Sequence, residues 1–371
     1  MEKVLEFSKK NTAAMKGIAI IMMLFHHCFL EGRYEEFNII FSPFSESFVA
    51  MLASFLKICV AIFVFLTGYG LAIKYLDENR KEEGKSIEKT TASRYLSLMS
   101  GFVFIFILSQ IVFIISKIAC TYLGKEPLTA YTGDTKVTSV MYFIIDGLGL
   151  ANLFATPTLN GTWWYMSLAI ILIAIIPLII KLYKKYGFLA TSVVLILITH
   201  GLNIQNQNLV RWLYTAFLGI VCADKNILVK LREFKIIKSN KYINKILKFV
   251  IATLILVGLF FVRQKTDYII YELNDALIPV FVIYYCFEFI MPIKYINDIL
   301  MYLGKHSMNI FLIHTFIRAH YLNTFTYSFK YPALIVLVLL VFSLILSIII
   351  EAMKKYSGYN KLVEKIREKI S

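Results

Sequence analysis

Long runs of apolar residues, separated by short polar stretches, dominate the sequence. Each run is about 20 residues long, the length that an α-helix needs to cross a hydrocarbon core about 30 Å thick. The pattern predicts an all-α fold, a polytopic membrane helical bundle of about ten transmembrane helices. The predicted spans cover residues 13–31, 48–73, 95–121, 162–181, 187–203, 209–224, 247–262, 269–290, 306–322 and 332–351.

Composition and charge agree with a membrane protein. Of the 371 residues, 58% are hydrophobic and only 17% are charged, whereas a soluble domain carries about a quarter charged residues. The formal net charge of +15 does not point to nucleic acid, because most Lys and Arg residues fall in loops predicted on one side of the membrane. The positive-inside rule therefore places both termini in the cytoplasm and predicts a multi-pass protein of the cell (plasma or inner) membrane.

The run from residue 139 to residue 154 is too short for an ordinary span and contains Asp146 and two glycines. Counting it as a span would reverse every later loop and place the basic segment 225–248 outside. We therefore predict an external segment that is re-entrant or lies on the membrane surface.

One membrane-integral domain is predicted over residues 1–371, with a core of 13–351 and a cytoplasmic amphipathic tail of 352–371. The cytoplasmic segment 224–248 alternates apolar and basic residues, so it favours a helix lying on anionic lipid. The five cysteines all fall within or beside apolar runs without paired spacing. Neither a disulfide framework nor a zinc site is predicted.

The first span carries a cation near one end and an imidazole near the other. Lys16 and His27 are eleven residues apart, so on a helix they share one face to within about 20° and lie roughly 16 Å apart along the axis. This arrangement suggests a lined cavity, but an anchoring lysine and a hydrogen-bonded packing histidine would show the same spacing. His26 points about 100° away from His27, so the pair cannot chelate one ion and no metal site is predicted.

The second and third spans add further ionisable groups. Lys57 lies in the outer third of the second span, where a charge is costly, so we expect it to face protein, water or a ligand. Gly68 and Gly70 in the same span would permit close helix approach. Arg94, where the third span begins, fits an ordinary membrane anchor as well as a phosphate-binding residue.

Two later spans hold the remaining candidates. Trp163 and Trp164 open the fourth span at the outer interface, where an aromatic belt is expected even without a function. In the ninth span, Ser307, His314 and Arg318 are spaced by seven and four residues and form one polar stripe. Such a stripe can simply join helices, but ionisable groups inside a membrane are also candidates for function.

Four segments, taken in order, resemble motifs of the membrane-integral acyltransferase family 3. The family's first-span motif is an arginine, ten residues and a histidine; Lys16 and His27 match that spacing with lysine replacing arginine. FVFLTGYG is similar to its F-x-x-x-S-G-[FY] motif, with Thr67 at the serine position. NGTWWYMSLAIILIAIIP resembles its tryptophan-containing span, and LGKHSMNIFLIHTFI resembles its late histidine-bearing span. Of the basic pair that tends to follow the second span in this family, only Arg94 fits.

The resemblance implies transfer of an acyl group, most simply acetyl, from cytoplasmic acyl-CoA to a sugar hydroxyl of an envelope polysaccharide or its lipid-linked precursor. His27 and His314 are then the candidate catalytic residues, and Lys16 and Arg94 the candidates for binding the CoA phosphates. Acyl-CoA (acetyl-CoA) is a co-substrate, and no permanently bound cofactor is predicted. Candidates for contacting substrate or lining the cavity are His26, Lys57, Trp163, Trp164, Ser307 and Arg318.

Two other functions fit part of the pattern. A transporter or flippase for polysaccharide or lipid-linked sugar would also have many spans and intramembrane cations, although no inverted repeat is visible in the sequence. An acyltransferase acting on lipid or sterol would share the donor but not the acceptor. The expected partners are acyl-CoA, a surface glycan or lipid-linked sugar, and membrane lipid, with no nucleic acid; no oligomeric state is predicted.

Overall fold

The computed structural model of the protein describes residues 7–30, 34–76, 87–124, 126–201, 211–265 and 268–370. Most of this part of the chain is helical, and it contains no β-strand. The predicted all-α polytopic fold is confirmed. Residue 31, residues 202–203 and residues 209–210 of the predicted spans lie outside the described residues.

The helices follow one another with short connections. In chain order they are Lys9–Phe29 (α1), Glu46–Leu56 (α2), Cys59–Leu76 (α3), Ile87–Tyr122 (α4), Lys136–Gly147 (α5), Trp164–Gly201 (α6), Leu213–Asp224 (α7), Ile227–Glu233 (α8), Lys241–Lys265 (α9), Tyr268–Tyr285 (α10), Lys294–Thr315 (α11), Asn323–Tyr327 (α12), Pro332–Tyr356 (α13) and Tyr359–Ile370 (α14). Short π-helices, Cys286–Ile290 and Phe316–Tyr321, continue α10 and α11.

Within the described residues, seven helical stretches are long and apolar enough to cross a membrane. Most of each of two predicted spans, 162–181 and 187–203, lies in α6, which Gly187 interrupts at φ 79° and ψ −176°, at the start of the later span. A positive φ suits glycine because it has no Cβ. The total of about ten spans stays a prediction.

The chain divides into two compact units, each assembled from separated segments of sequence. The first unit comprises Met1–Leu30, Phe44–Glu82 and Ile175–Ser307. The second comprises Glu31–Pro43, Glu83–Ala174 and Met308–Ser371.

In the first unit, α3 and α7 approach so closely that glycine is required on both helices. A Cβ on Gly68 would overlap the Ala216 carbonyl, and a Cβ on Gly219 would overlap the Phe65 carbonyl. The predicted role of Gly68 in close helix approach is therefore confirmed. The same prediction is wrong for Gly70, where an added Cβ would meet no atom within 4 Å.

Helix α1 is held against the beginning of α11 in a similar way. A Cβ on Gly17 would overlap the Leu300 carbonyl, and a Cβ on Gly304 would overlap the Ala13 carbonyl. The start of α1 is fixed by a capping box, in which the Ser8 side chain accepts from the backbone N–H three residues later and the Asn11 side chain accepts from the Ser8 N–H at 2.9 Å. These contacts fix the helix that carries Lys16.

In the second unit, the segment predicted to be external folds around a buried carboxylate. Asp146 is 1% exposed and accepts hydrogen bonds from the Tyr131 hydroxyl at 2.7 Å, the Thr158 hydroxyl at 2.7 Å and the Leu159 N–H at 3.0 Å. Burial raises the pKa of Asp146, and burial together with this carboxylate raises the pKa of Tyr131. Helix α5 has 12 residues, or about 18 Å at 1.5 Å per residue, which is too short to cross the bilayer. This supports the predicted re-entrant or surface-lying segment.

The tail that the sequence predicts to be cytoplasmic and amphipathic forms a helix, Tyr359–Ile370. After Gly358, at φ 76°, α14 leaves the direction of α13, and its Tyr359 hydroxyl donates to the Ser100 carbonyl of α4 at 2.8 Å. Leu362 and Ile366 on the apolar side of α14 are 55% and 38% exposed. Such a helix suits a membrane surface, where lipid would cover those side chains.

The two glycines of α3 give a matched test of the α3–α7 contact. Gly68→Ala should lower the free energy of unfolding by about 1–3 kcal/mol, because the added methyl group forces two backbones apart. Gly70→Ala should leave stability unchanged or raise it by up to about 1 kcal/mol, since alanine is the better helix former and the space is open. Thermal unfolding of the purified variants compares the two. Equal destabilisation by both would contradict the packing described.

Candidate functional site

Helix α1 carries the lysine and the histidines that the sequence singles out in the first unit. It is continuous from Lys9 to Phe29, so the spacing of eleven residues keeps Lys16 and His27 on one face. Both side chains are partly buried, whereas His26 is only 6% exposed. The adjacent histidines therefore occupy different environments.

His26 is tied to the end of α2. Its Nδ1 lies 2.7 Å from the Ala53 carbonyl oxygen, and because a carbonyl can only accept, Nδ1 carries the proton. One residue further on, the Ser54 carbonyl accepts from Nη1 of Arg263 at 3.3 Å. Side chains from α1 and α9 thus satisfy two successive carbonyls in the last turn of α2. His26, predicted as a candidate cavity-lining residue, has a clear structural role.

Lys57 lies where the second predicted span is interrupted. Helix α2 ends at Leu56 and α3 begins at Cys59, although the sequence predicts one continuous span. The Lys57 side chain is exposed, and the charges of Arg211, Arg263 and Asp275 act on it. The expectation that Lys57 faces protein, water or a ligand and not lipid stays a prediction.

A group of charges around Asp275 was not predicted from the sequence. The Asp275 carboxylate is 1% exposed and accepts from Nη2 of Arg211 and from Nε of Arg263, both at 2.6 Å. Asp275 thereby joins α10, α9 and the chain that enters α7. The signal was present, since an aspartate inside a predicted span and arginines at the ends of two others are ionisable groups at membrane depth.

His314 is enclosed in the second unit. It is 0% exposed, and its Nδ1 lies 2.8 Å from the Phe311 carbonyl and 3.2 Å from the Ile310 carbonyl of its own helix. Nδ1 therefore carries the proton, and Nε2 lies 3.3 Å from the Thr315 hydroxyl. In the neutral ring, Nε2 is the basic nitrogen.

A series of polar groups continues from Thr315. Its hydroxyl donates to the Thr162 hydroxyl at 3.3 Å, and the Thr162 hydroxyl donates to Oδ1 of Asn160 at 2.8 Å. The amide of Asn160 donates in turn to the Leu312 carbonyl at 3.2 Å. The start of α6 and the end of α11 are thus joined through the neighbours of His314.

Trp163 packs in the interior of the second unit and does not form an aromatic belt. It is 2% exposed, donates from Nε1 to the Leu312 carbonyl at 3.0 Å, and contacts the rings of Phe102, Phe106 and Phe316. Trp164, by contrast, is partly exposed and meets the Tyr165 ring edge to face. The two predicted candidates therefore differ, and Trp163 helps to position the segment that carries His314.

The remaining candidates lie on helices in the predicted places. Arg94 is partly buried near the beginning of α4, while Ser307 and Arg318 are 7% and 8% exposed. Lys16, His26, His27, Lys57 and Ser307 belong to the first unit, whereas Arg94, Trp163, Trp164, His314 and Arg318 belong to the second. Because His27 and His314 belong to different units, the expectation that they border one cavity stays a prediction.

An apolar cavity of about 240 Å³ lies in the second unit. Its walls come from α4, α13 and the end of α11 with the π-helix, and they include Ile105, Ile313, Ile317, Tyr321 and Phe342. All these residues fall in predicted spans, so the predicted topology places the cavity at membrane depth. In the part of the chain that the structure describes, no three His, Cys, Asp or Glu side chains are grouped to hold a metal ion.

The fold and these polar groups define a multi-pass helical membrane protein with histidines and paired charges inside its spans. Residues 13–352 match the family model described as an acyltransferase domain, that of acyltransferase family 3. The match covers nearly the whole chain, so the protein belongs to this family and is a membrane acyltransferase. Neither the comparison with curated proteins nor that with solved structures gives a match.

The two adjacent tryptophans give a second matched test. Trp163→Phe should lower the free energy of unfolding by about 1–3 kcal/mol, because it removes a buried hydrogen bond and leaves space among three phenylalanines. Trp164→Phe should change stability by less than about 0.5 kcal/mol, as is usual at partly exposed positions. Both are measured by thermal unfolding. If Trp164→Phe lowered the free energy of unfolding more than Trp163→Phe, the description of Trp163 as the buried tryptophan would be wrong.

Proposed function

We propose that the protein transfers an acetyl group from cytoplasmic acetyl-CoA to a sugar hydroxyl of an envelope polysaccharide or its lipid-linked precursor. Membership of acyltransferase family 3 over residues 13–352 carries this proposal, because it makes the chain an acyltransferase. The four family motifs, which occur in order from Lys16 to Tyr321, support the choice of donor and acceptor.

His27 is proposed as the general base. It removes the proton from the sugar hydroxyl while the oxygen attacks the carbonyl carbon of the thioester and forms a tetrahedral intermediate. The carbon–sulfur bond then breaks, the sugar ester is released, and the departing sulfur of CoA takes the proton from the His27 imidazolium. A positioned base of this kind accelerates a reaction by about 10²–10⁴-fold.

Lys16 and Arg94 are proposed to bind the phosphates of CoA. In the predicted topology both lie toward the cytoplasmic ends of their spans, where the donor arrives. Charged donors make short, strong hydrogen bonds to phosphate. His27 lies farther out along α1, so the thioester would extend from the CoA phosphates toward the base.

His314 is proposed as the second catalytic residue. Its Nδ1 proton is committed to the Phe311 carbonyl, which fixes the ring and its tautomer. Nε2 then faces the hydroxyl of Thr315, which in turn donates to the hydroxyl of Thr162. Direct transfer to the sugar and transfer through an acylated histidine both fit this arrangement.

The first functional test asks whether the glycan carries an ester made by this protein. Cells that lack the protein should lose an alkali-labile acetyl ester from a surface glycan, and re-expression should restore it. The control is re-expression of the His27→Ala variant in the membrane in the same amount as the wild type. This variant should not restore the ester, because it lacks the proposed base. Unchanged ester content together with altered export of the glycan would favour a flippase instead.

The second functional test separates the residues of α1. Lys16→Ala should raise the apparent KM for acetyl-CoA, because it removes binding common to the ground and transition states, while Lys16→Arg preserves activity. His27→Ala should lower kcat by about 10²–10⁴-fold with CoA binding retained. The measurement is steady-state transfer from radiolabelled acetyl-CoA in nanodiscs.

His26→Ala is the matched control within the same helix. It should lower the free energy of unfolding by about 1–3 kcal/mol, because the Ala53 carbonyl loses its buried donor. Activity per folded molecule should fall much less than for His27→Ala. An essential His26 beside a dispensable His27 would overturn the assignment, and if both were dispensable, His314 would be tested next as the base.

A further inference from the structure

Arg318 differs from every other buried cation that the structure describes. Four lysines and arginines in the described residues are buried, with Arg318 at 8% exposure among them. The other three each pair with a carboxylate: Lys248 with Glu288 at 3.5 Å, Arg263 with Asp275 at 2.6 Å and Lys354 with Glu351 at 2.8 Å. Arg318 forms no ion pair or hydrogen bond within the described ranges, and its shielded Nε lacks a partner.

An unpaired arginine at this depth needs a counter-ion. The guanidinium cannot lose its proton in a protein, so it cannot escape the cost of burial by becoming neutral. A charge inside a span is costly, and it costs more without a partner. The titratable group on which the charge of Arg318 acts is His320, which cannot supply a negative charge. The missing anion is therefore expected from a ligand.

The position of Arg318 relates that anion to the proposed chemistry. Arg318 lies in the π-helix Phe316–Tyr321, four residues beyond His314 and thus on nearly the same face of the continuing helix. π-Helical turns are frequent at functional sites. One turn corresponds to about 5–6 Å along the axis. An anion bound by Arg318 would therefore lie close to the ring of His314.

The neighbouring face of the same turn offers a place for a hydrocarbon chain. Ile313, Ile317 and Tyr321 line the apolar cavity of about 240 Å³, whose other walls come chiefly from apolar side chains of α4 and α13 and include Ser109. A cation beside an apolar cavity at membrane depth suits a molecule that joins an oxyanion to a hydrocarbon chain. The guanidinium fork matches phosphate oxygens in pairs.

We infer that Arg318 binds the phosphate of a lipid-borne acceptor whose hydrocarbon chain occupies this apolar cavity. The inference rests on the proposed function, since it names the acceptor as a polyprenyl-type phosphate carrying the sugar to be acylated. The phosphate would be bound one helical turn beyond His314, while the hydrocarbon chain anchors the substrate in the membrane. A phosphodiester of an ordinary phospholipid has the same chemistry, so the experiment must separate these two sources.

The test measures binding without any acyl transfer. The full-length protein is placed in nanodiscs of phosphatidylcholine, and farnesyl phosphate, farnesol or phosphatidylglycerol is added at equal mole fraction. Farnesyl phosphate should raise the apparent unfolding temperature of the wild type by about 2–4 °C at saturation. Farnesol, which has the same chain without the phosphate, and phosphatidylglycerol should have much smaller effects.

Three variants identify the residue responsible. Arg318→Leu should bind farnesyl phosphate about 10–100-fold more weakly, which is the effect of losing a charged hydrogen-bonding group. It should unfold at the same or a higher temperature than the wild type without ligand, because an unpaired buried charge has been removed. Arg318→Lys should keep part of the response. Lys117→Leu, which removes an exposed charge from α4, should respond like the wild type.

Each contrary result overturns a defined part of the inference. Equal responses of Arg318→Leu and the wild type to farnesyl phosphate would exclude Arg318 as the anion-binding residue. An equal effect of phosphatidylglycerol would assign the site to an ordinary lipid headgroup. Loss of stability in Arg318→Leu, with no response of the wild type to any phosphate, would make Arg318 structural. The binding assay contains no acyl-CoA, so its outcome does not depend on acyl transfer. A failure of the proposed acyltransferase activity would appear only in the transfer assay with radiolabelled acetyl-CoA.

Discussion

The requirement that backbone polar groups be satisfied within the membrane shapes both units of this protein. Hydrocarbon offers no hydrogen-bond partners, so each interruption of a helix must be compensated by protein groups. In the first unit the chain breaks between α2 and α3 at Lys57. The carbonyls of Ala53 and Ser54, just before the break, accept from His26 and Arg263. The break between α2 and α3 therefore explains why His26 and Arg263, which lie far apart in the sequence, are both polar at these positions.

The same requirement brings polar side chains together in the second unit. The Leu312 carbonyl accepts from both Asn160 and Trp163, and the Phe311 carbonyl accepts from His314. These bonds fix the end of α11 immediately before its geometry changes to that of a π-helix. Side chains that stabilise an irregular backbone are already buried, oriented and polar. A catalytic residue needs the same properties, so the catalytic role proposed for His314 is compatible with its structural one.

The sequence predicted the helical membrane fold because hydrophobic runs and the distribution of basic residues are local properties. Pairings between distant residues are not local: Asp275 meets Arg211 and Arg263 at separations of 64 and 12 residues. The glycines show the limit of local inference. Gly68 and Gly70 are about 200° apart around α3, so only one of them can face α7, and the sequence alone does not say which. The sequence likewise predicted that Trp163 lies near the membrane interface, but it did not predict that the side chain is buried.

Hydrogen bonding and burial distinguish the histidines that could act as the general base. His26 is only 6% exposed, and its Nδ1–H donates to the Ala53 carbonyl at the end of α2, which holds the ring against that helix. His314 is 0% exposed, and its Nε2 faces the Thr315 hydroxyl of its own chain. A base must come within about 2.6–3.2 Å of the substrate hydroxyl, and a fully enclosed ring can do so only after a rearrangement. His27 is partly exposed and shares the face of Lys16, so of the three histidines it is the one for which burial presents the smallest obstacle to the proposed role.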